Sequence, residues 1–390
     1  MSGKLPFLLP SPEGGSCDLM IIAGEHSGDQ HAAHMLVELK QQQPDLRVVA
    51  LGGDALQSAG AQLLFDLTAH SVVGFAEVAK NYSFFKSLLD ECARWIAEHR
   101  PKHVCFIDYP GFNLRLAEKL KQMGLSRKGG GEIGMWYYIG PQIWAWKQHR
   151  RHKMAAILDG LSVIFPFEVD CYADTPLPVD FVGHPFVRPD YELAIKYAPD
   201  GPALLLPGSR AQPVQRIYPT QLAAYALARL NVPELKALSV YPSDTIKRIL
   251  MKTIFEYVHL AAHVDFQPAS RGLTGCAALT SSGTMSLAIA LAGIPAAITY
   301  KAHPFTYHFA KAVIKIPYLG MPNILLNEPL LPEYIQKAAD PEVLAEELTE
   351  LTTNKDRIDQ AQEGAKRLRE TLSPGNELTP GAWLAANMAG

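Results

Sequence analysis

Residues 277–300 read AALTSSGTMSLAIALAGIPAAITY. Ala277 to Thr280 is a short apolar run, Ser281-Ser282-Gly283-Thr284 a small-residue corner, and an apolar helix follows from about Met285. Gly293 suits the end of that helix, Pro295 forbids its continuation, and Ala296 to Tyr300 resumes as a strand. Strand, corner, helix and strand make a βαβ unit of a parallel sheet, whose members are apolar on every side. The first helical N–H groups lack intrahelical partners, and with the helix dipole and the corner hydroxyls they make a pocket suited to phosphate oxygens. Gly283 leaves the backbone open to close approach. Two other readings compete. Residues 272–300 carry no charge, a length that spans a bilayer, although the hydroxyls and the Gly-Ile-Pro break interrupt the apolar core. Ser and Thr at a helix start also serve as plain caps. The corner alone does not separate these, so the rest of the chain has to.

A chain of 390 residues predicts two domains. Its 48% hydrophobic and 19% charged residues describe a globular protein, and its net charge of −3 argues against a nucleic-acid binder. The five cysteines, at 17, 92, 105, 171 and 276, form no CxxC pair, which fits a reducing compartment. The apolar patch 6–10 is too short and too rich in proline for a signal peptide, and a cytoplasmic location is expected. His31 with His34, His149 with His152, and His259 with His263 have no third ligand in a zinc pattern, so no metal is predicted.

The same strand-to-corner grammar recurs. After a Pro/Gly/Ser tail, residues 18–23 form a buried strand that ends in Gly24-Glu25-His26-Ser27-Gly28-Asp29 and runs into a helix to about Gln43, opening a doubly wound domain. The corner is not GxGxxG, and Asp29 reads either as part of a site or as an early-helix anion. Residues 47–51 give the next strand. Phe75, Val78, Tyr82, Phe85 and Leu89 recur at helical spacing, as a core face or as a greasy face toward lipid. His103 to Ile107 is a buried strand with Asp108 at its carboxyl end, where α/β proteins build their sites; a general base is favoured over a helix cap. Strand 135–139 leads to Trp144, Trp146 and a basic run through Lys153, suited to stacking beside an anion site or to an anionic membrane surface. Leu161 to Phe165 is the last strand of this half, and the polar segment 188–202 is the best linker.

In the second half, Ala203 to Leu206 ends in Pro207-Gly208-Ser209-Arg210. A guanidinium beside backbone amides matches a diphosphate in charge and fork geometry, and it supports the corner at 282–284. Neither fits GxxxxGK[ST], which argues against an ATP-hydrolysing loop. Asn323, between a proline and an apolar run, either binds a ligand or holds a turn. Residues 341–372 are amphipathic and helical, Ser373-Pro374-Gly375 breaks them, and a short helix closes the chain near 382–388.

Taken in order, GEHSGD at 24–29, VVGFAEV at 72–78, FIDYPGFN at 106–113, GPQIWAWKQHR at 140–150, FVGHP at 181–185, LLPGSR at 205–210, SSGT at 281–284 and LGMPNILL at 319–326 resemble the lipid-A-disaccharide synthases. The resemblance covers roughly residues 19–336. It implies an α/β GT-B fold, with two Rossmann-like doubly wound domains facing a cleft. The expected limits are 17–187 for an acceptor domain, 200–340 for a UDP-sugar donor domain, and 341–390 for helices packing back on the first. It implies an inverting glycosyl transfer from UDP-2,3-diacylglucosamine to the 6-hydroxyl of 2,3-diacylglucosamine 1-phosphate, without cofactor or metal. A homodimer at the cytoplasmic face of the inner membrane, in contact with anionic lipid, is implied too. By matching motifs, Asp108 is the catalytic base. Ser209, Arg210, Ser282, Gly283, Thr284 and Asn323 bind donor, and Gly24, Glu25, Ser27, Gly28, Asp29 and Trp144 bind acceptor. Phe75, Val78, Tyr82 and Phe85 meet membrane or acyl chains.

The chain departs from the pattern in places. The family glutamate placed to bind the ribose is Ala288 here, Pro213 stands where an acidic residue is common, and Gly140 replaces a serine. A UDP-sugar 2-epimerase-like enzyme or a non-enzymatic UDP-sugar-binding paralogue are the competing readings. The motifs at 24–29 and 144–146 oppose the first; Asp108 with Arg210 opposes the second.

Overall fold

A computed structural model describes residues 8–71, 75–144, 147–270, 272–302, 317–375 and 378–389; within these, side chains are described outside 70–82. The chain divides into two units, one formed by the residues up to Pro185 together with those from Ser373 onward, the other by Phe186–Leu372.

The first unit opens with β1 (Leu19–Ala23), α1 (His26–Gln42), β2 (Val48–Gly52), α2 (Asp54–Ser58), β3 (Gln62–Asp66), α3 (Thr68–Ser71) and α4 (Phe75–His99). It continues with β4 (His103–Ile107), α5 (Pro110–Gln122), β5 (Gly134–Tyr138), α6 (Arg150–Ile157), β6 (Gly160–Val163) and β7 (Val179–Phe181). The strands form one parallel sheet in the order β3-β2-β1-β4-β5-β6-β7. Along β1, Met20 and Ile22 enter one core while Leu19, Ile21 and Ala23 enter the core on the opposite face. That two-sided burial is why the strand reads as an unbroken apolar run.

The second unit holds β8 (Ile195–Tyr197), β9 (Ala203–Leu206), α7 (Ala211–Asn231), β10 (Ala237–Tyr241), α8 (Asp244–Ile254), β11 (Val264–Pro268) and β12 (Leu273–Gly275). After these come β13 (Ala277–Thr280), α9 (Thr284–Leu291), β14 (Ala296–Tyr300), α10 (Met321–Leu326), β15 (Glu333–Ile335), α11 (Pro341–Thr353) and α12 (Lys355–Leu372). Its main sheet runs β11-β10-β9-β13-β14-β15, while β8 and β12 pair by themselves. Counting only main-sheet strands, the second sheet follows the order 3-2-1-4-5-6 of the doubly wound fold, and the first follows it with a seventh strand, β7, added beside β6.

One reading holds and two expectations change. Residues 272–300 fold as β12, β13, α9 and β14 inside this unit, and no helix among the described residues is long and apolar enough to cross a membrane. The expected linker at 188–202 contains β8, a three-residue strand too short to signal itself in polar sequence. The expected return of 341–390 to the first domain begins only at Ser373. Leu344, Leu348 and Leu351 of α11 are buried in the second unit's core. Only α13 (Pro380–Met388) closes the first unit. Its Trp383 is buried edge-on to Trp136 at 6.3 Å and donates its indole N–H to Asp180.

Candidate functional site

In a doubly wound sheet the strand order reverses at one point, and the loops leaving the two strands there open a crevice at their carboxyl ends. The first unit reverses between β1 and β4, paired Ala23 to Ile107. The chain leaves β1 through Gly24-Glu25 into the first turn of α1, which holds Ser27, Gly28 and Asp29, and the residue after β4 is Asp108. The sequence-predicted motifs therefore meet at one switch point.

Asp108 (φ 43°) and Tyr109 (φ 50°, ψ 51°) both lie in the left-handed region, and Ile139, the residue after the adjacent β5, does so at φ 60°. Side chains with a Cβ pay roughly 1–2 kcal/mol each for this conformation, and such strain concentrates at functional sites. The turn is secured on several sides. Asp108 N–H donates to Tyr138 O at 3.1 Å. Its carbonyl accepts from Asn113 Nδ2 at 2.7 Å and from the Tyr137 hydroxyl. Pro110 then starts α5 with φ already suited to a helix. A Cβ on Gly24 would lie 2.2 Å from the Tyr109 ring, so that glycine makes room for the turn.

The Asp108 carboxyl is half-buried, and burial, reinforced by the negative charge of Glu25, pushes its pKa up to about 6. A carboxylate with that affinity is ionised at neutral pH yet a stronger base than a solvated one. Glu25, whose charge acts on it, and Ser27 are both exposed. Asp29 differs from its expected role. It is buried and accepts from the amides of Gly53 (2.8 Å) and Ala55 (3.0 Å), so its carboxylate anchors the start of α2 instead of facing a ligand. Gly28 is also buried, 3.9 Å from Ala23 and Ile107 if given a Cβ, and serves the packing of α1.

Trp144 is half-buried with its ring edge-on to Phe167 at 5.5 Å, and Phe167 stacks on Phe165 at 5.8 Å. Its indole N–H is buried and has no partner among the described residues, which leaves a donor for a ligand. Phe165 in turn lies 5.2 Å from His184, whose pKa burial and the neighbouring His31 hold down at about 3. Below the same row, burial pushes the Glu168 carboxyl up to about 8 against the bond it accepts from Phe165 N–H.

The greasy-face expectation is reached only in part. The side chains of Phe75, Val78 and Tyr82 lie outside the described residues. Phe85 is half-buried, meets Phe84 edge-on at 5.6 Å and packs part of its ring against the core.

The second unit reverses between β9 and β13, paired Leu206 to Thr280. Here the loops are Gly208-Ser209-Arg210 and Ser281–Thr284. Gly208 has φ 110°, and a Cβ there would come 3.1 Å from Ser281 Oγ. Gly208 and Ser209 of one corner and Ser281, Gly283 and Thr284 of the other line a cavity of about 210 Å³ together with Val240, Pro242 and Ala269. Gly283 is the N-cap of α9 and brings no side chain to its first amides; a Cβ on it would meet nothing within 4 Å. Thr280 and Ser286 spend their hydroxyls on the carbonyls of Ser281 and Gly283. The hydroxyls of Ser282 and Thr284 and the exposed guanidinium of Arg210 have no partner among the described residues. The cavity thus meets Thr284 and the start of α9, with Ser282 and Arg210 next in the chain to its lining residues, an arrangement suited to an anion.

Asn323 does not join it. Fully buried, it donates to Leu331 O at 2.7 Å and Glu333 Oε1 at 2.9 Å and accepts from Leu331 N at 2.8 Å. Glu333 also takes the amides of Leu319 and Gly320. The pair holds its loop, with both Asn N–H groups spent. Ala288 is buried within α9, so no carboxylate is offered at that turn. Sequence reasoning missed Tyr137, whose importance depends on a hydroxyl reaching across to the next strand.

The family model for lipid-A-disaccharide synthetase matches residues 19–383. A curated lipid-A-disaccharide synthase from Nitrosococcus oceani is 33% identical over 369 residues, covering 92% of this chain and 93% of that protein. Among solved structures, a UDP-GlcNAc 2-epimerase from Neisseria meningitidis bound to UDP-GlcNAc aligns with a TM-score of 0.57 at 8% identity, covering 95% of this chain and 99% of that one. The calicheamicin glycosyltransferase CalG4 aligns with a TM-score of 0.53 at 12% identity over 95% and 98%. At such identities these two speak for the fold alone, which is GT-B.

Proposed function

The chain belongs to the lipid-A-disaccharide synthase family, a family of glycosyltransferases, and on that premise we propose that it joins two diacylglucosamine units with inversion. The donor is UDP-2,3-diacylglucosamine and the acceptor 2,3-diacylglucosamine 1-phosphate. Asp108 takes the proton of the acceptor 6-hydroxyl as that oxygen attacks the anomeric carbon. The bond from that carbon to the diphosphate oxygen breaks, and UDP leaves with the electron pair. A β-1,6-linked disaccharide 1-phosphate remains.

The observation that carries this reading is Asp108, a half-buried carboxyl with pKa about 6 in a strained turn at the first switch point. The leaving diphosphate is assigned to Arg210, the amides that open α9, and the hydroxyls of Ser282 and Thr284, as preorganised stabilisation of developing charge. In this reading they do the work that a divalent ion does elsewhere. Glu25, Ser27 and the Trp144 indole N–H are assigned to the acceptor. The acyl chains imply work at an anionic membrane surface, and a homodimer is part of the same proposal.

The deciding experiment mixes the purified protein with both substrates, without added metal, and follows disaccharide and UDP. Equal amounts of the two are expected. Folded protein that yields neither would sink the reading.

A further inference from the structure

The carbonyl of Asp108 is where the base is held. Two consecutive left-handed residues turn this carbonyl out of the strand ladder, and a buried main-chain acceptor outside a ladder needs donors from elsewhere. Two fully buried side chains supply them: the Asn113 amide from α5 at 2.7 Å and the Tyr137 hydroxyl from β5. We propose that Tyr137 is a positioning residue for the reaction, its hydroxyl clamping the Asp108 carbonyl so that the carboxylate is presented at the sheet edge in one orientation. The inference rests on the reading of Asp108 as the base.

Tyr137 lies in the core with its ring 6.0 Å from that of Phe106. For packing alone a phenylalanine would serve, because burying a hydroxyl costs free energy unless it finds a partner. It donates to the main chain of one residue, Asp108, and also meets the Asn113 side chain that binds the same carbonyl. The adjoining Asp108 amide is tied to the same strand through Tyr138 O, so β5 grips the residue by both of its main-chain polar groups. Asn113 does more general work, since its Nδ2 also reaches Ile107 O at 3.2 Å. With the Tyr137 hydroxyl gone, one donor remains and the turn regains freedom that costs reactive alignment and leaves substrate contacts intact.

The test is Tyr137→Phe, which keeps the ring. Thermal midpoint, kcat and both KM values are measured in the full chain, alone and combined with Asp108→Asn. A kcat about tenfold lower is expected with KM within about twofold, the signature of an interaction needed only at the transition state. In the Asp108→Asn background the same change should alter the residual rate by less than about twofold, because its route of action is gone. Unchanged kcat in folded Tyr137→Phe, or an equal tenfold loss in both backgrounds, overturns the inference. Asn113→Leu, which removes the other donor, is the second variant. If neither variant folds, both side chains belong to the fold and the proposal fails. Near-normal turnover in Asp108→Asn would remove the base reading itself, and an inactive Asp108→Asn beside a fully active Tyr137→Phe removes only this inference.

Discussion

The two switch points share strand order and opposite chemistry. At the first, the loops after β1 and β4 present Glu25 and Asp108, and the backbone is strained at Asp108 and Tyr109. At the second, the loops after β9 and β13 present Arg210, two free hydroxyls and uncapped amides, and the left-handed residue is a glycine, Gly208. One position collects negative charge and raises a carboxyl pKa, and the other is built to receive negative charge. Topology fixes where a ligand is met, and only the residues after each strand decide what is met. The glycines divide in the same way. Gly24 is required by its own protein, through the Tyr109 ring, whereas Gly283 faces open space and is required by nothing in the chain.

The contrast can be broken at its strongest point first. Asp108→Asn should lower kcat by about a thousandfold while leaving UDP affinity, assigned to the other unit, within about twofold. Equal losses of both would mean that the division of labour is wrong. Arg210→Ala should reduce kcat/KM by about a hundredfold and weaken UDP in a direct binding measurement, with Arg210→Lys restoring only part, since an ammonium lacks the fork. A paired substitution sharpens the glycine comparison. Gly24→Ala should destabilise the first unit by about 2 kcal/mol or more, visible in thermal unfolding, because a Cβ collides with an aromatic ring. Gly283→Ala should leave the unfolding midpoint in place and weaken UDP binding by about tenfold.

The smallest effect concerns pH. Because the Asp108 pKa is raised in the native state, its ionisation opposes folding, so this contribution is absent below about pH 4 and grows as pH rises through about 6. Asp108→Asn should therefore be more stable than the parent by about 1–2 kcal/mol at pH 8, after allowance for partial exposure, and equal to it at pH 4. The kcat/KM of the parent should fall as pH drops through the same value near 6. A profile flat to pH 4 would remove the base from the first switch point.

How far the chain could be read before its structure follows from the same physics. The corners were legible because strand, small residues and helix announce themselves in one dimension, and family order supplied the fold. Asp29 and Asn323 sit in motifs of the right kind, yet both are saturated by backbone and carboxylate partners that only tertiary contact reveals. A buried polar residue and a ligand-binding one look alike in sequence, since both are polar residues among apolar ones. The left-handed turn at 108–109 was invisible because an aspartate, which tolerates that region, is far more often found outside it, and the tyrosine after it gives no such signal. Phe85 sits on an aromatic stripe at helical spacing, which fits core and lipid equally, and only tertiary contact shows that part of its ring meets Phe84 and the core.

The last helix gives this molecule an unusual birth order. Trp383 fills the first unit's core beside Trp136, and Gly381 donates its amide to Glu38 of α1. On the ribosome the unit begun first is therefore the one completed last, while the unit beginning at Phe186 has emerged almost whole in the interval. Until α13 is released, the earlier unit waits with a gap where an indole belongs.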